Sequence, residues 1–187
     1  MICVDTLRSD RLPAYGYREI ETPRLEELVE DAILFERAYA NYPLTLPSHA
    51  SIFSGRLPSE HGVRDNVGYA VETDPTWLPR WLRDRGWSTG AAISAWILRR
   101  ETGIGEGFSF YEDSIAFTAG GGVGDSQRPG SETVDRALRW LREQEAGSKY
   151  FLFVHLYEPH APWEAPEPFR SRVSDPYDGE VVASDAL

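Results

Sequence analysis

The run Tyr150-Phe151-Leu152-Phe153-Val154-His155-Leu156-Tyr157 narrows the possible folds more than any other segment of the chain. It is apolar at successive positions rather than alternate ones, so both faces of the strand it forms must be covered. Such a strand belongs at the centre of a parallel sheet with helices on both sides. The remaining segments supply those helices. Thr22-Pro23 reads as an N-cap followed by proline at the first helical position. Leu25, Leu28, Val29, Ala32 and Ile33 then recur at helical spacing, which predicts an amphipathic helix over 23–33. Leu34 to Tyr39 is expected to be extended. Asp74-Pro75 repeats the cap-and-proline signal ahead of a face made by Leu78, Trp81 and Leu82. Thr89 to Ala95 reads as a strand of small residues under close cover. Ser131 is expected to cap a helix that turns Val134, Ala137, Leu138 and Leu141 inward. Helices alternating with such strands predict an α/β fold: a three-layer α/β/α sandwich with a mostly parallel central sheet.

The 187 residues suffice for one domain with a sizeable core. A net charge of −11 argues against nucleic acid as a partner, because phosphate-backbone binding needs a basic face. Every basic residue except Lys149 is arginine, which reflects coding bias first and anion recognition second. Cys3 alone cannot form an intramolecular disulfide and reads as a small buried hydrophobe. No apolar run approaches the ~20 residues that span a bilayer, so no membrane segment is expected. Residues 114–130, with Gly120-Gly121-Gly122-Val123-Gly124, read as a Gly-rich surface loop. No Gly-Lys-Ser/Thr follows, so it is not expected to cradle a phosphate.

The chemistry-bearing signal is Leu44-Thr45-Leu46-Pro47-Ser48-His49-Ala50-Ser51-Ile52-Phe53-Ser54-Gly55. A hydroxyl just ahead of a Pro-Ser pair, opening a short amphipathic run closed by glycine, delivers a nucleophile to a helix N-terminus. There the unpaired N–H groups and the positive end of the dipole favour an oxyanion. Asp5 ends the apolar run Ile2-Cys3-Val4, at the strand edge where open α/β sheets bind ligands. His160, in Pro159-His160-Ala161-Pro162, follows the central strand, and imidazole is the side chain that exchanges protons near neutrality. An acid, a hydroxyl and a histidine at such ends suggest metal-assisted ester chemistry, with all three converging on one cleft. Asp5 is the candidate ligand for a hard divalent cation, and Thr45, as catalytic nucleophile, is the second. His155, inside the strand, reads as a hydrogen-bonded core residue. His61-Gly62 with Arg64-Asp65-Asn66 reads as a loop near the site, where Asn66 or Arg64 holds an oxyanion.

Val4-Asp5-Thr6-Leu7-Arg8-Ser9-Asp10, Thr22-Pro23-Arg24-Leu25, Thr45-Leu46-Pro47-Ser48-His49, His61-Gly62-Val63 and Glu158-Pro159-His160-Ala161-Pro162 together resemble the sulfatase family of the alkaline phosphatase superfamily. They occur in the family's order over almost the whole chain. The resemblance implies the N-terminal part of one sulfatase-like domain spanning 1–187. The short first strand, Met1 to Val4, and a helix opening at Asp178 fit that expectation. It also implies a divalent metal (calcium, manganese or zinc), a nucleophile at Thr45, and a histidine at His160 that contacts the substrate or leaving oxygen. His49 stands where typical sulfatases have an arginine and is expected to orient Thr45 or the anion.

Three departures bear on the chemistry. Many sulfatases have two consecutive acids where this chain has Asp5-Thr6. Sulfatases proper convert a Cys or Ser to formylglycine, and Thr45 cannot yield an aldehyde because its β-carbon carries a methyl group. The family's Gly-Lys-x-His segment is replaced by Ile93-Ser94-Ala95-Trp96-Ile97-Leu98, without a cation. Threonine here resembles the phosphodiesterase and phosphoethanolamine transferase branches, which form a phospho-threonine. The expected function is therefore metal-dependent hydrolysis or transfer of a small-molecule, glycan or lipid anionic ester, with phosphoryl chemistry favoured. The alternative is an inactive or incomplete domain acting as an anion-binding or interaction module. An uncovered half-domain surface is expected to favour self-association.

Overall fold

The computed structural model describes residues 1–187 apart from 119, 121, 123 and 125. In chain order the elements are β1 (Ile2–Val4), α1 (Pro23–Glu30), α2 (Thr45–Ser54), α3 (Pro58–His61), α4 (Leu78–Arg83), β2 (Ser88–Ile93), β3 (Phe110–Glu112), α5 (Gly130–Arg142), β4 (Tyr150–Leu156), α6 (Phe169–Arg172) and α7 (Pro176–Asp185). The chain forms two compact units: Met1–Cys3 with Ala40–Leu156, and Val4–Tyr39 with Tyr157–Leu187.

The first unit is built around β4, as its two-sided apolar run requires. The sheet order is β1-β4-β2-β3, so β4 is an interior strand. It pairs in parallel with β2, Gly90 opposite Leu152 and Ala92 opposite Val154, and β2 pairs in parallel with β3. On its other edge, the Met1 amino group donates to the Leu152 carbonyl at 2.7 Å and the Val154 N–H to the Met1 carbonyl at 2.9 Å. Phe153 and His155 point to the face covered by α2. There Phe53 meets Phe153, Trp77 and Phe108 edge-on, with centroids 5.0, 5.5 and 5.7 Å apart. Each fully buried aromatic or aliphatic side chain in this layer contributes about 1.5–3 kcal/mol.

The opposite face is covered by α5, and Gly90 sets how closely. A Cβ at Gly90 would lie 2.8 Å from the Trp140 ring, so the helix reaches the sheet only because that side chain is missing. Trp140 also stacks on Phe110, with centroids 5.8 Å apart and planes at 14°. Helices on both faces of a parallel sheet make this the expected α/β architecture.

Several local expectations are revised. The helix at Pro23 ends at Glu30, and residues 34–39 form no strand. Asp74 does not cap a helix. Its carboxylate closes a turn by accepting from the Thr76 N–H at 2.7 Å and hydroxyl at 2.5 Å, and α4 starts only at Leu78. The tryptophan that enters the core is consequently Trp77, 2% exposed, while Trp81 stays 41% exposed. Helix α5 begins at Gly130 with Pro129 at the N-cap position, and it buries Thr133, Ala137 and Trp140 while leaving Leu138 exposed. The Gly-rich segment of residues 114–130 lies partly outside the described residues.

The second unit packs Leu7, Leu12, Tyr17 and Val173 around Ile20, Tyr177 and Val181. Thr22 holds the N-cap position of α1, but the capping is done from 160 residues away. Asp185 of α7 accepts from the Arg24 and Leu25 N–H groups at 3.1 and 2.7 Å. Replacing Gly90 with alanine should destabilise the first unit by about 1–3 kcal/mol through overlap with Trp140. Trp140→Leu in the same chain should recover part of that loss, as read from urea unfolding midpoints.

Candidate active site

Thr45, His49, Arg64 and Asn66 belong to the first unit, whereas Asp5 and His160 belong to the second. Thr45 is the first residue of α2, after Leu44 in an extended conformation that offers no side-chain cap. The orphan N–H of Leu46 is instead taken by the Asn66 side-chain oxygen at 2.9 Å. Asn66 thus caps the helix that presents Thr45, and its amide N–H₂ remains for other acceptors. The Ser48 N–H closes the first turn on the Leu44 carbonyl at 3.0 Å. At the far end Gly55, with φ of 68°, adopts the left-handed conformation that stops the helix.

His49 sits inside this arrangement and is only 3% exposed. Its Nδ1 lies 2.7 Å from the Thr45 carbonyl, and because a carbonyl only accepts, Nδ1 carries the proton. The ring packs against His155 and Phe153 at centroid distances of 5.0 and 5.8 Å. His49 therefore bears on the backbone of Thr45 from the core side. His155, fully buried in β4, occupies the core position read from the sequence. Arg64 keeps its side chain exposed while its carbonyl accepts from the Tyr42 hydroxyl at 2.9 Å.

Ser51 and His61 lie 3.0 Å apart and look like a nucleophile with its base. Proton bookkeeping excludes that. The Val63 N–H donates to His61 Nδ1 at 3.2 Å, so Nε2 holds the ring proton and donates to the Ser51 hydroxyl. Burial also holds the His61 pKa below its ordinary value, keeping the ring neutral. This pair ties α3 to α2.

In the second unit, Asp5 is half-buried directly after β1. The next residue, Thr6, has φ of 53°, a left-handed conformation that a β-branched side chain adopts at a cost of about 1–3 kcal/mol. The Tyr177 hydroxyl holds this turn from both sides, donating to the Thr6 carbonyl at 2.9 Å and accepting from the Arg8 N–H at 2.8 Å. Arg11 braces the same region by donating to Tyr17, Asp175 and the buried Asp178 at 2.9, 2.9 and 3.1 Å. Burial opposes the Arg11 charge, but Asp175, Tyr17 and Asp178 outweigh it and raise the Arg11 pKa.

His160 donates from Nδ1 to the Ala161 carbonyl at 2.7 Å, which leaves Nε2, 3.2 Å from the Tyr157 hydroxyl, as the acceptor nitrogen of the ring. The ring stacks on Tyr157 with centroids 4.2 Å apart. It lines a cavity of about 460 Å³ together with Thr6, Arg8, Arg11, Trp163 and Asp175. Tyr177, Trp163 and Arg11 were not singled out from the sequence. Their partners lie up to 171 residues away, and no local pattern marks such pairs.

Among the described residues, no group of three or more His, Cys, Asp or Glu side chains comes together to hold a metal ion. The residues present therefore do not by themselves fit a complete metal site. No helix among them is long and apolar enough to cross a membrane. Removing the distant cap, Asn66→Ala, should cost about 1 kcal/mol of stability, with Asn66→Asp, which retains an acceptor, close to wild type in thermal unfolding.

The Sulfatase family model matches residues 1–183. N-acetylglucosamine-6-O-sulfatase of Bacteroides thetaiotaomicron is 25% identical over 171 residues, covering 85% of this chain and 30% of that protein. Ectonucleotide pyrophosphatase/phosphodiesterase family member 7 of Rattus norvegicus is 25% identical over 164 residues, covering 77% of this chain and 37% of that protein. The chain thus spans only 30% and 37% of these curated relatives' lengths. Among solved structures, Ps i-CgsB in complex with k-i-k-neocarrahexaose shares the fold. The TM-score is 0.81 at 20% identity, covering 99% of this chain and 51% of that one. A family match over nearly every residue, on a fold shared with such structures, means that the chain belongs to the sulfatase family.

Proposed function

We propose that this chain carries the nucleophile of a sulfatase-family hydrolase acting on anionic sulfuric or phosphoric esters, with Thr45 as nucleophile and phosphoryl transfer preferred. The observation that supports it most is the position of Thr45 at the first residue of α2, in a turn fixed by Asn66 and by His49. The positive end of the α2 dipole lies at such a residue and favours the negative charge of a transferring group. In this reading the Thr45 hydroxyl oxygen attacks phosphorus in line and gives up its proton to solvent water as the new bond forms. The departing alkoxide takes the Nε2 proton of His160 in its imidazolium form, the form in which Nε2 carries a proton while Nδ1–H is held by the Ala161 carbonyl. Water then displaces the phosphoryl group and regenerates threonine. Arg64 and the Asn66 N–H₂ hold the anion, and Asp5 and Thr45 are each candidate ligands for a divalent cation. No step is routed through that ion, because the described residues do not complete its site.

The two relatives are equally identical to this chain, and one is named a sulfatase and the other a phosphodiesterase. The phosphoryl preference therefore rests on the nucleophile and not on overall likeness, which favours the sulfatases. Thr45, whose β-carbon carries a methyl group, forms a phospho-ester but no aldehyde hydrate. Acid-quenched reactions with a bis-aryl phosphate should release one aryl alcohol and add the remaining aryl-phosphoryl group to the tryptic peptide of residues 38–56, and Thr45→Ala should abolish both adduct and turnover. Faster cleavage of an aryl sulfate than of the phosphodiester would overturn the phosphoryl preference. Undiminished turnover by Thr45→Ala would remove Thr45 from the mechanism.

A further inference from the structure

The loop that carries His160 is closed by its own bonds. The His160 N–H donates to the Tyr157 carbonyl at 2.9 Å, and the Trp163 indole N–H reaches back to the Pro159 carbonyl at 3.1 Å. These bonds shape the loop but tie it to no other element. The tie comes from α7. Glu180 Oε1 accepts from the Glu164 N–H at 2.7 Å. Just beyond, α7 approaches the chain closely, since a Cβ at Gly179 would lie 3.3 Å from the Ala165 Cβ. Glu180 is only 5% exposed. Burial pushes its pKa up, the Glu164 N–H offsets part of that, and the Glu158 and Glu164 carboxylates push it further up. Packing alone gives α7 no reason for an acid here, because an apolar side chain would be buried at less cost. What the carboxylate supplies is an acceptor for one backbone N–H, at the end of the loop that carries His160.

We propose that Glu180 is a positioning residue for His160: its bond to the Glu164 N–H holds the loop in the shape that lets His160 Nδ1 donate to the Ala161 carbonyl. This rests on the role given to His160 above and extends it to a residue that acts through the loop. A neutral imidazole can carry its proton on either nitrogen, and the hydrogen bond made by one of them decides which. The Nδ1–H bond to Ala161 joins adjacent residues, so small changes in the dihedrals of residues 160 and 161 break it. Pinning the loop at Glu164 removes that freedom. Nδ1 then keeps its proton, and Nε2 is the nitrogen that gains and loses one. Without the pin, the ring exchanges between tautomers, and in part of the population the wrong nitrogen faces the transfer.

The test is NMR of the ¹⁵N-labelled 187-residue chain at about pH 8.5, where imidazole is neutral, with the His160 ring signals assigned by their loss in His160→Gln. Glu180→Ala, Glu180→Gln and Val181→Ala are compared with wild type, each first shown to be folded by circular dichroism. Wild type should show a protonated Nδ1 on His160 and a protected Glu164 amide. Glu180→Ala should lose the single tautomer and exchange the Glu164 amide about tenfold faster or more, and Glu180→Gln, which keeps an acceptor oxygen, should retain both. Val181→Ala loosens the same helix where it packs on Ile20 and Tyr177, and should leave the His160 tautomer unchanged. A single Nδ1–H tautomer in Glu180→Ala, an equal loss in Val181→Ala, or a Glu180→Gln that behaves as Glu180→Ala would each overturn the inference. No substrate enters this measurement, so a failure of the ester-hydrolase reading, seen as undiminished turnover by Thr45→Ala, is read separately.

Discussion

The first unit depends on one requirement, that β4 be covered on both faces and paired on both edges. Its aromatic and aliphatic side chains point alternately toward α2 and α5, and neither helix alone would dry the strand. Gly90 meets this requirement on one side by letting Trp140 lie flat against the sheet. Phe53 meets it on the other by filling the space between Phe153, Trp77 and Phe108. With β4 interior and β1 on its edge, the acid that follows β1 and the loop that follows β4 both leave a rigid sheet. Rigidity at such exits lets a loop residue keep one position without a long chain of its own supports.

Backbone strain marks the second unit. A left-handed Thr6 is a poor local conformation, and it persists because Tyr177 bonds the Thr6 carbonyl and the Arg8 N–H that follows it. Tyr177 is in turn fixed by the packing of Ile20 and Val181 and by the Asp175 cap of α7. The Arg11 cluster has a similar role. Its charges are partly or fully buried and mutually satisfied, which holds the 3-10 turns near Ser9–Arg11 against α7 without depending on the small apolar core alone.

Hydrogen-bonding roles refine the site more than proximity does. Ser51 and His61 stand at a distance that invites a catalytic reading, yet the Val63 N–H settles which ring nitrogen holds the proton and excludes it. The same reasoning gives His49 a structural contact to the Thr45 carbonyl and makes His160 Nδ1 the donor to the Ala161 carbonyl. Asn66, a residue of the loop, supports Leu46, so its capping oxygen is committed before any ligand arrives.

Much of this was legible without coordinates, where the cause is local. The two-sided apolar pattern of β4 predicts an interior strand because water must be excluded from both faces. The glycine after Ser54 ends α2 because only a residue without a Cβ takes φ of 68° freely. The five motifs identify the family because their order and residue types survive in one dimension. Tertiary structure decided the rest. Trp77 rather than Trp81 enters the core because the Asp74 turn delays the start of α4 by three residues beyond Pro75, which rotates its faces. Asp185 rather than Thr22 caps α1, and Asn66 rather than Leu44 caps α2, because an orphan N–H accepts any oxygen that folding brings near it. Such partners are chosen by distance in space, and a linear sequence carries no term for that distance.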